Sequence, residues 1–407
     1  MVTKFFWPEG GGGELATYLI AKDVLSKYFR VTIISGTKEP AADVLKHCRY
    51  VWWHPFTEKY KPIEWLKLIE NAGQLARLVK QADIVYIPSH TLLPLAIIAK
   101  RIKPDVKVVV HLHNYQPLTY TSVVLAGKRP NMATDLMVER CEHGSSLRAV
   151  FAGMGHYINL ASRPALHYAD KVVCVSRRQH EILTENLPTL KSKAIVVYNP
   201  PPQLPNVEKS LDLEPTIHYT GGGSYVKGFH VFMQAALNIL KQGNRASFLL
   251  TKEFKREHVV LIRKLDDTFK KTFRLLGHLS HDDVLKLYSR SYAVLVPSTW
   301  EEPLPYVIFE AMAAGLIPVV TEMTGSKDLV KLVDPSLVVP LDVDAISMKI
   351  VEVLSMDIRE KETLSRRAKK VAEEWSAKTK ESFLRGIAKG LQISEGIRSL
   401  PNEMQTR

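Results

Sequence analysis

The 407-residue sequence has only three cysteines, Cys48, Cys141 and Cys174, odd in number and far apart. That excludes a disulfide framework and makes a reducing compartment the default. There is no run of about 18 apolar residues and no charged-then-apolar leader. The chain therefore reads as cytoplasmic, either soluble or held peripherally at the inner membrane face. No repeat of solenoid period appears. The glycine run at 10–13 lacks the G-x-G-x-x-G register, which excludes a dinucleotide fingerprint. Acidic residues are outnumbered, 42 against 55 basic ones, giving a formal net charge of +13. Such a balance suits nucleic acid, an anionic membrane or a phosphorylated substrate and does not choose among them. No nucleic-acid-binding motif accompanies it, so nucleic acid is not expected as a partner. Cys141 and His143 have no second ligand pair at metal spacing, and no metal site is expected.

What is present is an ordinary globular composition, 46% hydrophobic and 24% charged, in a chain long enough for two domains of about 200 residues each. Short apolar, β-branched strands are expected at 4–7, 31–35, 84–88, 106–112 and 171–175, with helical patterns at 15–27, 63–80 and 92–103 between them. This alternation implies α/β architecture: two Rossmann-like, doubly wound parallel-sheet domains. Pro200, Pro201 and Pro202, with polar residues through Glu214, favour an extended connection and put the boundary near residue 199. The expected domains are 1–198 and 199–375, with a terminal helix in 376–407 crossing back to the first and ending in a loose tail.

The densest chemistry lies in 294–321, VLVPSTWEEPLPYVIFEAMAAGLIPVVT. It reads as strand, loop, helix and strand, with Pro303 and Pro305 in the helix's first turn and Gly315 at its left-handed end. Glu302 then falls in the loop and Glu310 in the helix. A helix entered from the carboxyl end of a parallel strand aims free N–H groups and its positive end into the ligand crevice. Ionised carboxylates there accept hydrogen bonds from sugar hydroxyls. A second unit, strand 217–220, glycines 221–223 and a helix starting just after Lys227, would present N–H groups and one ammonium to a diphosphate. The plainer alternative is a surface turn with a solvated lysine. His90 and His113 fall just past the carboxyl ends of two strands, where a histidine is either structural or faces the ligand. The dense basic run at 241–274 reads as a solvated face, with anionic lipid as the other reading.

The block Pro297-Ser298-Thr299-Trp300-Glu301-Glu302-Pro303, followed by Phe309-Glu310-Ala311-Met312-Ala313-Ala314-Gly315, resembles the E-x7-E signature of retaining glycosyltransferase family 4, the glycosyl transferase group 1 enzymes with the GT-B fold. Asp170 to Ser176, Val196 to Pro200 and Lys227-Gly228 fit the same pattern. The resemblance implies two domains facing a cleft and metal-independent transfer of a sugar from a nucleotide donor, such as a UDP- or GDP-sugar, with retention and without a cofactor. The acceptor would be a glycan, a lipid-linked or a small-molecule hydroxyl, chosen by segment 115–164. By the resemblance Glu310 binds ribose hydroxyls and Glu302 lies beside the sugar. The N–H groups of Leu304, Tyr306 and Val307 meet the sugar or phosphate, and Lys227 steadies the leaving diphosphate with Gly222, Gly223 and Ser224. His113, preferred over His111 and His90, touches the sugar near the reacting centre, while Gly11, Gly12 and Gly13 form a loop between donor phosphates and acceptor. Thr324-Gly325-Ser326 resembles a further diphosphate loop.

One departure stands out. The family pattern is G-R-x-x-x-x-K-G, and here glycine replaces the arginine. Backbone N–H groups substitute, or Lys252 or Arg256 reaches in, or activity is poor. The alternatives to transfer are a catalytically weak nucleotide-sugar or glycan-binding protein and a nucleotide-sugar epimerase.

Overall fold

The computed structural model describes residues 1–58, 61–204, 215–270 and 272–391. The chain divides into two compact units, the first made of residues 1–118, 157–201 and 378–407, the second of 119–156 and 202–377.

In the first unit, Val2–Thr3 (β1), Thr32–Ser35 (β2) and Arg49–Trp52 (β3) form one parallel sheet, and Ile84–Ile87 (β4), Lys107–Leu112 (β5), Lys171–Cys174 (β6) and Ala194–Val196 (β7) another. Val108, Val109, Val110, Val172 and Val173 are buried, the continuous apolar run that a sheet covered on both faces produces. Some expected boundaries move. The first strand is at 2–3 and not 4–7, and β3 is half-exposed, which hid it from a search for apolar runs. The helix expected over 63–80 is two, Lys61–Glu70 and Ala72–Lys80. At the break the Asn71 side chain donates to the Lys67 carbonyl (2.8 Å) and competes with the backbone ladder.

The second unit holds one six-stranded parallel sheet built from Thr216–Tyr219 (β8), Ser247–Thr251 (β9), Phe273–Gly277 (β10), Ala293–Val296 (β11), Ile317–Thr321 (β12) and Val338–Val339 (β13). Its order is β10-β9-β8-β11-β12-β13. The winding direction reverses between β8 and β11, so the loops leaving these two strands are neighbours at their carboxyl ends, the place where such sheets bind ligands. Both sequence motifs are on those two loops.

Residues 119–156 belong to the second unit, whereas the sequence placed them in a first domain running to 198. Backbone pairing explains the difference. Glu301 N–H donates to the Val124 carbonyl (2.8 Å), Ala126 N–H donates to the Thr299 carbonyl (3.0 Å), and Leu125, Val138 and Val226 share a buried cluster. The terminal helix is also continuous, Ile358–Leu391, with no break at 375; its residues belong to the second unit up to 377 and to the first from 378. The expected linker beyond 204 and the tail beyond 391 lie outside the described residues.

Buried histidines make stability depend on pH. His218 in β8 is fully buried, and burial lowers its pKa from 6.5 to about 4; burial does the same to His113. Between pH 4 and 6.5 the unfolded chain holds protons that the folded one does not, so stability rises with pH through that window and is lost on acidification. At pH 5 each of these two histidines should cost about 2 kcal/mol relative to pH 7. Thermal melts from pH 7.5 to 5 should show the decline, and it should shrink in His218→Gln; a pH-independent midpoint would contradict it.

Candidate functional site

The β11 loop is pinned before it reaches its glutamates. Ser298 is fully buried, and the Thr321 hydroxyl donates to its carbonyl (2.9 Å). Thr299 N–H donates to the Val226 carbonyl (3.0 Å), which ties this loop to the one after β8. Glu302 then sits 4% exposed. Its Oε1 forms an ion pair with Lys227 Nζ, and its Oε2 accepts from the Ser298 hydroxyl. The Glu302 carbonyl accepts from Gly325 N–H (2.7 Å), which joins the 324–326 loop to the same point. The Lys227 ammonium also lies 5.4 Å from the centre of the Trp300 ring, within cation–π range.

The helix expected after these residues is Tyr306–Ala313, with Pro305 as its N-cap; Pro303 stays outside it. Among the described residues no side chain caps this end, and the N–H groups of Leu304 and Val307 donate to no described residue. Donors of this kind with a positive helix end suit an anion or sugar oxygens. Glu310 is on the buried face of this helix at 9% exposure. Burial, with the Glu310 charge adding to it, holds the Tyr306 and Tyr288 hydroxyls well above the usual tyrosine pKa. Gly315 has φ +80 and ends the helix as expected.

The loop after β8 differs in part from the sequence reading. Gly223 N–H, expected to face a diphosphate, donates to the Glu253 carbonyl (3.0 Å). The Ser224 hydroxyl donates to Glu142 Oε1 (2.8 Å), and Val226 N–H donates to the same oxygen (2.8 Å). Glu142 was missed by sequence reasoning; its partners are more than 80 positions away, and no motif marks it. The N–H groups of Gly222 and Ser224 donate to no described residue. Gly228 closes the loop at φ +77, where a Cβ would meet the Pro297 carbonyl oxygen at 1.8 Å.

His113 and the first glycine run are in the other unit. His113 Nδ1 is 3.3 Å from the Asn199 side-chain nitrogen, and its buried Nε2 has no hydrogen-bond partner among the described residues. Its pKa near 4 keeps the ring neutral. His111 is fully buried against Tyr86 and Phe383, a packing role, and His90 pairs with Asn114 (3.0 Å). Gly13 packs on His113, where a Cβ would sit 3.5 Å from the histidine Cβ. The glycines are not all loop: the helix begins at Gly12, and Gly11 N–H is taken by the Glu14 carboxylate (2.8 Å).

The sequence of residues 10–200 matches the family described as Glycosyltransferase Family 4, and that of residues 203–371 matches Glycosyl transferases group 1. An uncharacterized glycosyltransferase of Methanocaldococcus jannaschii is 32% identical over 146 residues, 35% of this chain and 37% of that protein. Spore coat protein SA of Bacillus subtilis is 27% identical over 177 residues, 38% of this chain and 47% of that protein. The matched segments thus span less than half the length of these relatives. Among solved structures, sucrose-phosphate synthase from Thermosynechococcus elongatus superposes with a TM-score of 0.67 at 16% identity, over 97% of this chain and 98% of that one. Anabaena HepE in complex with UDP-glucose superposes with a TM-score of 0.66 at 16% identity, over 95% and 99%.

Proposed function

We infer the reaction from the premise that this chain belongs to the family 4 glycosyltransferases and has the GT-B fold. It moves a sugar from a nucleotide-sugar donor to an acceptor hydroxyl, with retention and without a divalent ion. The observation that carries this reading is the convergence of Lys227, Glu302 and the uncapped Tyr306–Ala313 helix on the loops of two adjacent strands. UDP-glucose bound by the Anabaena relative supports a nucleotide sugar as donor.

In the proposed mechanism the donor diphosphate departs toward Lys227. A fixed ammonium meets charge that develops in the transition state and needs no reorganisation. Glu302, held by Lys227 and Ser298, is positioned beside the sugar, and Glu310 accepts from the ribose hydroxyls. Neither glutamate acts as a glycosidase-type acid or nucleophile; the acceptor attacks the face the diphosphate leaves, and a phosphate oxygen takes its proton. The acceptor is a glycan, lipid-linked or small-molecule hydroxyl.

We extend the reading to a peripheral anionic-membrane contact in the cytoplasm. Among the described residues no helix is long and apolar enough to cross a membrane. On helix Ser146–Leu160, Leu147, Phe151, Met154 and Tyr157 are each at least 60% exposed, and the one permanently charged side chain on that helix is Arg148. Such a face suits insertion at a headgroup boundary.

The test is nucleoside diphosphate release from UDP-, GDP- and ADP-sugars in EDTA, with acceptors in detergent or in phosphatidylglycerol vesicles. Acceptor-dependent release from one donor is expected, and vesicles should enhance it. Binding of a donor with no release under any acceptor would support a weak binding protein; free nucleotide and sugar product formed with no acceptor would support an epimerase.

A further inference from the structure

Counted back from Lys227, the arginine of the family pattern falls at Gly222. The structure has no room for a side chain there. Gly222 has φ +60, and a Cβ would lie 2.9 Å from the Glu253 carbonyl oxygen and 3.3 Å from the Lys252 Cβ. The side chain crowding that position is itself a cation.

Lys252 is the first residue past β9, the strand beside β8, and it is open to solvent. It adopts a left-handed φ of 75°, a conformation that glycine takes freely and lysine does not. Its N–H donates to the Gly277 carbonyl (2.7 Å), and the turn carries the Glu253 carbonyl onto Gly223 N–H. A lysine kept where the backbone favours glycine is a strained outlier of the kind that marks functional positions. Arg256, the other basic residue near this strand end, opens the helix Arg256–Thr268 and does not abut Gly222.

Charge gives a second argument. Lys227 is already paired with Glu302, and with Glu310 the three groups carry one net negative charge. A diphosphate would add to it, and like charges in a shared site repel. Among the described residues the Lys252 ammonium has no hydrogen bond or ion pair, yet it is close enough to interact with Lys227, Glu302 and Glu310. The protein around it and the Lys227 charge lower its pKa, while Glu302 and Glu310 act to raise it.

We propose that Lys252 replaces the missing arginine, its ammonium binding the diphosphate of the donor together with Lys227. This rests on the nucleotide-sugar reading above.

The test is calorimetric binding of UDP, GDP and ADP, and of the matching monophosphates, to the full chain and to Lys252→Gly. Glycine removes the ammonium and relaxes the left-handed backbone, so the variant should melt no lower than the parent. For the diphosphate that the parent binds, Lys252→Gly should raise Kd by ten- to a hundredfold, with a smaller change for the monophosphate. Equal diphosphate affinity in parent and Lys252→Gly overturns this inference and leaves the proposed function standing. No binding of any diphosphate by the parent overturns the proposed function, and this inference with it.

Discussion

Lys227→Met is expected to lower acceptor-dependent transfer by about a hundred- to a thousandfold, the range typical of losing one group that meets charge developing in a transition state. The stability change should be much smaller in its consequences. Glu302, 4% exposed, would keep only Ser298 as a side-chain partner, and leaving a buried carboxylate unpaired is costly. Because the Lys227 side chain is about a third exposed, the cost should be about 2 kcal/mol, below the range for fully buried pairs. A protein with ordinary stability stays folded after such a loss, so unfolding does not explain a hundredfold fall in rate. Lys227→Met/Glu302→Gln separates the two effects. Removing both charges should restore much of the melting temperature and none of the activity. Recovery of transfer in the double variant would show that Lys227 serves only to neutralise Glu302.

Gly228→Ala should be the most destabilising small substitution in the second unit. The residue has φ +77, and an added Cβ would sit 1.8 Å from the Pro297 carbonyl oxygen, a contact with backbone that cannot rotate away. Left-handed backbone and overpacking together should cost about 3 kcal/mol, a melting shift of about 6–12 °C for a unit of this size. Gly228 directly follows Lys227 and precedes the helix Phe229–Lys241, while Pro297 opens the Glu302 loop. Any shift that relieves the clash therefore moves the two site loops apart, and transfer should fall further than stability alone requires. Gly243→Ala is the control: it has φ +79 but nothing within 4 Å of an added Cβ, so it should show the backbone cost without the clash. Equal melting shifts in the two variants would contradict the packing argument.

Much of the second unit could be read from the residues. The strand expected at 217–220 and the strand, helix and strand expected within 294–321 appear within about a residue or two of where they were read, at Thr216–Tyr219, Ala293–Val296, Tyr306–Ala313 and Ile317–Thr321, because each is a short apolar run or a periodic pattern between clear breakers. Glu302 in a loop and Glu310 in a helix followed from Pro305 and Gly315 in the same way. Contacts between residues distant in sequence could not be read. Glu142 on Ser224 and Val226, and the 119–156 segment pairing with the Thr299–Glu301 backbone, are set by tertiary packing with no local signature. Charge bookkeeping raised Lys252 and Arg256 equally; the left-handed backbone at 252 and its contact with Gly222 separate them. In the first unit β3 was missed because half-exposed strands leave weak patterns. The helix read at 15–27 gives way after Leu19 to a π turn and then a 3-10 turn, although the sequence keeps its helical period.

The most direct measurement is NMR of the product formed from an α-linked nucleotide-sugar donor, with nucleoside diphosphate quantified in the same reaction. The account predicts a new α-glycosidic linkage on the acceptor and one equivalent of nucleoside diphosphate, both lost in Lys227→Met. A β-linked product, or donor consumed without a new glycosidic bond, would contradict it.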